Sequence, residues 1–205
     1  MMDITIIDIE VVEMNIFVLD KDAMQAAYYL CDKHIVKMPT ETMQMFCTNL
    51  DHLGYQGWLP MKPVMLNHPC TIWMRQSLGN WLWCIEHLES MLNNYTHTYD
   101  RTHKVEEHWD KMMDDVYEFL EHEYCVKIND DVLVTQTPFV KAMPDKYMDD
   151  DVVKAYRDYY LGDKWEFATW KARREPDWWP FNHVQIKKQE MVNEFNEKFN
   201  ARVKI

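Results

Sequence analysis

The chain has 205 residues, 47 % of them hydrophobic, and a formal net charge of −12. That length and apolar content suit one domain with a sizeable core, and four Gly and eight Pro are too few for the turns of an all-β sandwich. The charge has the wrong sign for a chain that lives on nucleic-acid phosphates, and no run nears the roughly 20 apolar residues of a membrane span.

The start, "MMDITIIDIEVVE", is acidic where a leader would be basic, so a cytoplasmic protein is expected. Cys31, Cys47, Cys70, Cys84 and Cys125 are odd in number, widely spaced and set among apolar residues, which reads as reduced thiols. The stretch "DITIIDIEVVEMNIFVLD" is rich in β-branched residues and predicts one or two strands before Asp20. Met14 opens "MNIFVLDKD", so residues 1–13 read as an N-terminal extension, residues 14–181 as a helical domain and residues 182–205 as a polar C-terminal helix.

Asp22 is placed to cap a helix over residues 23–49, which Pro39 should kink or divide. "LGYQGWLPMKP" reads as a loop. A second long helix is predicted over residues 69–98, where Ile72, Leu78, Leu82, Ile85, Leu88 and Leu92 recur at helical spacing. The two should form the core pair. "KVEEHWDKMMDDVYEFLEHEY" predicts a third helix, acidic outside, and "VLVTQTPFVKAMPDKY" an extended or looped segment. "DDDVVKAYRDYYLGDKWEFATW" predicts a fourth helix, bent or broken at Gly162, and "QIKKQEMVNEFNEKFN" a last one that packs loosely. The fold class is therefore mostly α, a single compact helical domain with a small β element at the N-terminus.

Candidate chemistry gathers in "YYLCDKHIVKMPTETMQMF". On a helix His34, Lys37 and Glu41 share a face, Lys33 stands one turn from Lys37, and Asp32 opens the group. A carboxylate beside an amine and an imidazole offers an electrostatic stabiliser, a nucleophile and a proton shuttle. The same residues also make a plain Lys37–Glu41 surface pair with His34 packed beneath it. In "LNHPCTIWMRQS", Asn67 and His68 precede Pro69 at a helix start, a natural seat for an anion with Arg75 two turns inside; alternatively Asn67 simply caps the helix and His68 packs beside it. The C-terminal third sets Arg157, Tyr160, Lys164, Lys171, Arg173 and Arg174 among aromatic rings, the composition of a strand-gripping surface or of a core with cations outside. His97, His103 and His108 are irregularly spaced, and HExxH, CxxC, Walker A, GxGxxG and GxSxG are all lacking, so neither a metal nor another cofactor is expected.

Taken together, "MNIFVLDKD", "AAYYLCDKHIVKM", "NHPCTIWMRQS", "YDRTHK", "AMPDKY" and "AYRDYYLGDKWEFATWK" resemble a family of tailed-phage proteins, over Met14 to about residue 181. More distantly, the order of elements is similar to the phage pyrimidine-dimer DNA glycosylases of the endonuclease V type. Those proteins carry an active-site Glu on an early helix and an aromatic, basic stretch near the end, which "YRDYYLGDK" resembles. The resemblance implies a host-cytoplasmic phage enzyme, a glycosylase-like hydrolase of DNA repair or modification acting on a nucleobase or N-glycosidic bond, with DNA or a nucleotide as partner. It makes Glu41 the catalytic carboxylate. Such enzymes attack with a free N-terminal amine and are basic; here Lys33 or Lys37 would replace that amine, or Glu41 would activate water. The alternative is an acidic interaction protein that binds a host protein or mimics nucleic acid. A positive cleft around Lys33, Lys37, Arg75 and Arg173 would favour the enzyme, and a continuous acidic surface the interaction protein.

Overall fold

The computed structural model describes residues 14–129, 134–180 and 182–203. The fold is mostly helical, with seven α-helices and no strand among the described residues. The predicted strands lie partly in residues 1–13, outside the described residues. Over residues 14–18 the chain has no regular hydrogen-bonded structure, and every residue from Met14 to Leu19 is buried, so the two-fold alternation of a half-exposed strand is missing.

The helix predicted over residues 23–49 is two helices, α1 (Ala23–Tyr29) and α2 (Asp32–His52). Asp22 caps α1 as expected, accepting a hydrogen bond from the Gln25 amide at 2.8 Å. The division falls at Leu30–Cys31 and not at Pro39, which sits inside α2. A proline removes one backbone donor, and here Ile35, Met38, Thr42 and Met43 bury the helix around it. What divides the chain at Leu30 is the extended C-terminal segment. Arg173 donates to the carbonyls of Tyr28 (2.7 Å) and Leu30 (2.8 Å), and Trp170 Nε1 donates to that of Tyr29 (3.1 Å). The Asp32 amide, at the start of α2, donates to the Thr169 carbonyl at 2.8 Å. The orphan groups of both helix ends are thus satisfied by one strap.

The second predicted helix is divided in the same way, into α3 (Pro69–Met74) and α4 (Leu78–Tyr99), with Ser77 capping α4. Asn80 Nδ2 donates to the carbonyl of Trp73 at 2.6 Å and to Thr137 Oγ1 at 2.7 Å, and Asn80 Oδ1 accepts from the Thr137 amide at 3.0 Å. Residues 134–140 therefore lie across this joint as an extended segment, as the sequence predicts. The approach is close: a Cβ on Gly79 would stand 2.6 Å from the Thr135 carbonyl oxygen. Ala normally raises helix stability over Gly by up to about 1 kcal/mol; Gly79→Ala is expected to lower it by about 1–3 kcal/mol, because backbone must move. A urea midpoint that rises in this variant would refute the close approach.

α4 packs against α1, α2, α3 and α5 (Lys104–Glu123). Trp81, Phe46 and Trp109 meet between α4, α2 and α5, with ring centroids 5.5 Å apart in both pairs that Phe46 makes. After a short 3₁₀ turn (Asp145–Tyr147), α6 (Val152–Tyr159) runs into a π-helical turn, Tyr160–Lys164. The bend predicted at Gly162 is this turn. Its wider winding brings both Tyr160 and Lys164 inward, and each is buried. α7 (His183–Val203) leaves Ile186, Met191, Val192 and Phe195 exposed, the loose packing expected of it. Among the described residues no helix is long and apolar enough to cross a membrane.

Candidate functional site

His34 lies on the first turn of α2 and is buried. Phe17 stacks on its ring at 4.4 Å between centroids, and Tyr160 and Phe167 meet it edge-on at 5.2 and 5.4 Å. Phe17 reaches that position through an unusual backbone, with φ of 39°, in the left-handed region that bulky side chains rarely adopt. Asn15 holds it there: its Oδ1 accepts from the amides of Ile16 (2.8 Å) and Phe17 (2.9 Å), and its Nδ2 donates to the Ala142 carbonyl at 2.6 Å. Strain of this kind persists only where the surroundings over-determine it, and it concentrates at functional sites.

Three ammonium groups act on the same imidazole. Burial chiefly, then Lys164, Lys37 and Lys33, lower the His34 pKa to about 3, so the ring is neutral at ordinary pH. His34 Nδ1 and the Tyr160 hydroxyl are hydrogen-bonded. Burial pushes the Tyr160 phenol far above its usual value, so it keeps its proton, and the Cys31 amide faces its oxygen. The Cys31 thiol meets the same phenol, so Tyr160 has two side-chain partners, His34 Nδ1 and Cys31 Sγ. Burial also raises the neighbouring Cys31 thiol, which is therefore no thiolate nucleophile.

The lysines approach from different elements. Lys33 is exposed and sets Nζ 4.5 Å from the Phe167 centroid. Lys164 is buried, with Nζ 4.4 Å from the Tyr159 centroid and 5.9 Å from that of Phe17. Lys37 is half-exposed and pairs with Glu41 Oε1 at 3.1 Å, one turn further along α2. Glu41 itself is buried, so the pair spans the boundary between surface and interior. Burial chiefly, with Glu41 adding to it, pushes the thiol of Cys70 on α3 up to about 12.

The other residues singled out in the sequence lie elsewhere. Arg75 donates to Asn49 Oδ1 (3.0 Å) and to the Leu66 carbonyl (2.9 Å). Asn49 stands fifteen residues beyond His34 on α2, about 22 Å along the helix axis, so Arg75 does not share a surface with the imidazole. His68 caps α3 by accepting from the Cys70 amide at 3.2 Å, the role the sequence offered to Asn67, which is exposed in the preceding turn. Asp32 accepts from the Lys171 amide (2.9 Å), Thr169 Oγ1 (3.2 Å) and Arg173 (3.4 Å), and so belongs to the strap contact and not to the lysine group. Lys171 enters that contact through its backbone. Arg157 donates to the Leu19 carbonyl (2.9 Å) and Asp20 (3.3 Å), between the rings of Tyr29 and Trp178.

No protein-family model, curated protein or solved structure matches this chain. The site must be judged on its own chemistry. No three His, Cys, Asp or Glu side chains among the described residues are grouped to hold a metal ion. What the arrangement offers is local positive potential on an acidic protein, a neutral imidazole, and a buried carboxylate paired with an amine. Phe17, Phe167 and Asn15 were missed in the sequence. Phe167 carries a faint signal, being aromatic within a basic stretch, whereas Phe17 and Asn15 join the site only through tertiary packing.

Proposed function

We propose that this protein is an enzyme acting on the N-glycosidic bond of a nucleotide, with the base as the leaving group. The observation that carries the reading is the buried Glu41 paired to Lys37 at 3.1 Å, one turn from a buried His34 whose ring neighbours Phe167 and Phe17 carry Lys33 and Lys164 against them. Breaking the bond between sugar and base develops positive charge on the sugar, and a carboxylate held away from water stabilises that charge strongly. The lysines supply potential for the substrate's phosphate, and the His34 imidazole hydrogen-bonds an oxygen or nitrogen of the departing base. The attacking group is either Lys37, once its ammonium has passed a proton to Glu41, or a water that Glu41 deprotonates; in both cases the proton taken up by Glu41 goes on to the departing base.

Glu41→Gln keeps shape and hydrogen bonding and removes the charge. It is expected to fold and to bind as the native chain does, with base release slowed about 10²-fold or more, the scale of one preorganised group. With Lys37 as nucleophile, borohydride traps a covalent adduct that Lys37→Ala abolishes; with water as nucleophile, no adduct is trapped in either. Base release unchanged in Glu41→Gln overturns the assignment.

A second reading has its own support. Glu107, Asp110, Asp114, Asp115, Glu118 and Glu123 are exposed along α5, an acidic face suited to a basic protein partner. On that reading no base is released by any variant, and charge reversal on α5 removes the interaction instead.

A further inference from the structure

We propose that the loop over residues 53–68, with the acidic row beside it on α5, is the docking surface for an amphipathic segment of another protein, apolar on one side and rich in Lys or Arg on the next. The inference rests on the acidic face of α5 from the second reading above, to which it adds the apolar half of the surface and the form of the partner; it holds with or without base release. The loop has two sets of apolar side chains. Tyr55, Leu59 and Met61 pack inward against the core, whereas Trp58, Val64, Met65 and Leu66 are exposed, Trp58 by 51 %. The outward set serves no core, and a contiguous apolar display of this kind marks an interaction surface, with Trp its usual anchor.

The backbone that carries the outward set is pinned. Thr48 Oγ1 accepts from the Val64 amide at 2.9 Å and lies 2.8 Å from the Val64 carbonyl. Arg75 donates to the Leu66 carbonyl at 2.9 Å, and the Tyr124 hydroxyl at the end of α5 donates to the Arg75 carbonyl at 3.1 Å. Between them Met65 stands at φ of 57°, where glycine would be at ease, and its carbonyl accepts from the His68 amide at 2.9 Å. A strained backbone is thus held so that three apolar side chains face out, which is preorganisation of a surface and not slack in a connection.

Charge names the occupant. The loop has one charged side chain between Leu53 and His68, that of Lys62. It lies along α5, with Trp58 edge-on to His108 at 5.7 Å and Tyr55 edge-on to Phe119 at 5.3 Å. Glu107, Asp114 and Glu118 recur at helical spacing on the row next to His108 and Phe119, and all three are exposed. Along its length α5 has eight carboxylates against two lysines, and Lys127, just beyond it, is taken by Glu121 at 2.6 Å. An apolar strip rimmed by carboxylates fits a basic amphipathic helix, and a second copy of a chain with net charge −12 is repelled from it.

The acidic row from Glu107 to Glu118 spans about 17 Å, so the probe is a fluorescently labelled peptide of about 14 residues, made of Leu and Lys with the leucines at helical spacing. Its controls are a shuffled peptide of the same composition and a Leu/Glu peptide of the same pattern, all measured by anisotropy against the full chain at physiological salt. The patterned Leu/Lys peptide is expected to bind about tenfold or more tighter than the shuffled one, and the Leu/Glu peptide not at all. Trp58→Ser and Leu66→Ser remove most of that margin. Met65→Gly lowers it while the melting temperature holds or rises, because glycine relieves the left-handed backbone; a purely structural Met65 would not behave so. Equal binding of the patterned and shuffled peptides, no binding of either, or a margin unmoved by Trp58→Ser and Met65→Gly overturns the proposal. Binding lost on reversing Asp114 and Glu118 to Lys but untouched by the loop substitutions keeps the acidic face and removes the loop. A dimer in sedimentation that Trp58→Ser dissolves assigns the loop to a second copy and overturns the proposal as well.

Discussion

Acidification from neutral pH to pH 4 is expected to remove about 6 kcal/mol of folding stability through two histidines alone. His34 and His87 are both buried, and both have pKa values lowered from 6.5 to about 3, chiefly by burial. His87 stacks on Trp83 at 4.8 Å, and its Nε2 lacks a hydrogen-bond partner, so nothing compensates a charge there. Below pH 6.5 the unfolded chain takes up protons on these rings that the folded chain refuses. Stability therefore falls with falling pH, by about 1.4 kcal/mol per unit for each histidine, until the folded pKa near 3 is reached. Each contributes about 3 kcal/mol by pH 4, against a total of about 5–15 kcal/mol for a typical domain. In the window from pH 6.5 to 5 most carboxylates stay ionised, and half-buried His68, whose pKa burial also lowers, adds to the same slope. Urea unfolding at half-unit intervals should show the slope, and His87→Leu should make it shallower. A profile flat between pH 6.5 and 5 would show that the folded imidazoles accept protons.

Asp32→Ala is expected to cost about 3–5 kcal/mol, the scale for removing one partner of a buried ion pair. Both side chains are almost inaccessible, at 6 % for Asp32 and 1 % for Arg173. The loss strands the guanidinium with only the Tyr28 and Leu30 carbonyls, and it deprives the Lys171 amide and Thr169 of their acceptor. Asp32→Asn retains acceptors for those two and should cost less. Arg173→Met on the Asp32→Ala background should recover part of the stability, since the uncompensated charge is then gone. Thermal melts of the three variants decide it: an Asp32→Ala protein as stable as the native chain would show that the strap is not anchored there. On the proposed function, activity should follow folding in this series, which separates Asp32 from Glu41, whose Gln variant is expected to change turnover without changing the melt.

The positions of the helices were legible in the sequence because apolar spacing and end signals are local. Asp22 caps α1, α5 lies close to its predicted span, and the bend at Gly162 is the π-helical turn. The shared face of Lys37 and Glu41 was legible for the same reason, since helical geometry alone sets that pair. The breaks at Leu30 and Arg75 were not. Each depends on an extended segment more than fifty residues away, which supplies donors and acceptors to helix ends that the local sequence would have continued. Pro39, the strongest local breaker, was overridden by burial on α2. The fate of the cations was equally hidden. Composition shows Arg75, Arg157 and Arg173 among aromatic rings, but whether a guanidinium faces solvent or a buried carbonyl depends on where the chain returns. Tertiary packing sent those arginines inward, turned Lys164 toward His34 from across the fold, and set Phe17 upon the imidazole. The sequence by itself determined the helices and the Lys37–Glu41 pair; only the folded chain decided which charges meet, because desolvation and long-range contacts do not exist before it folds.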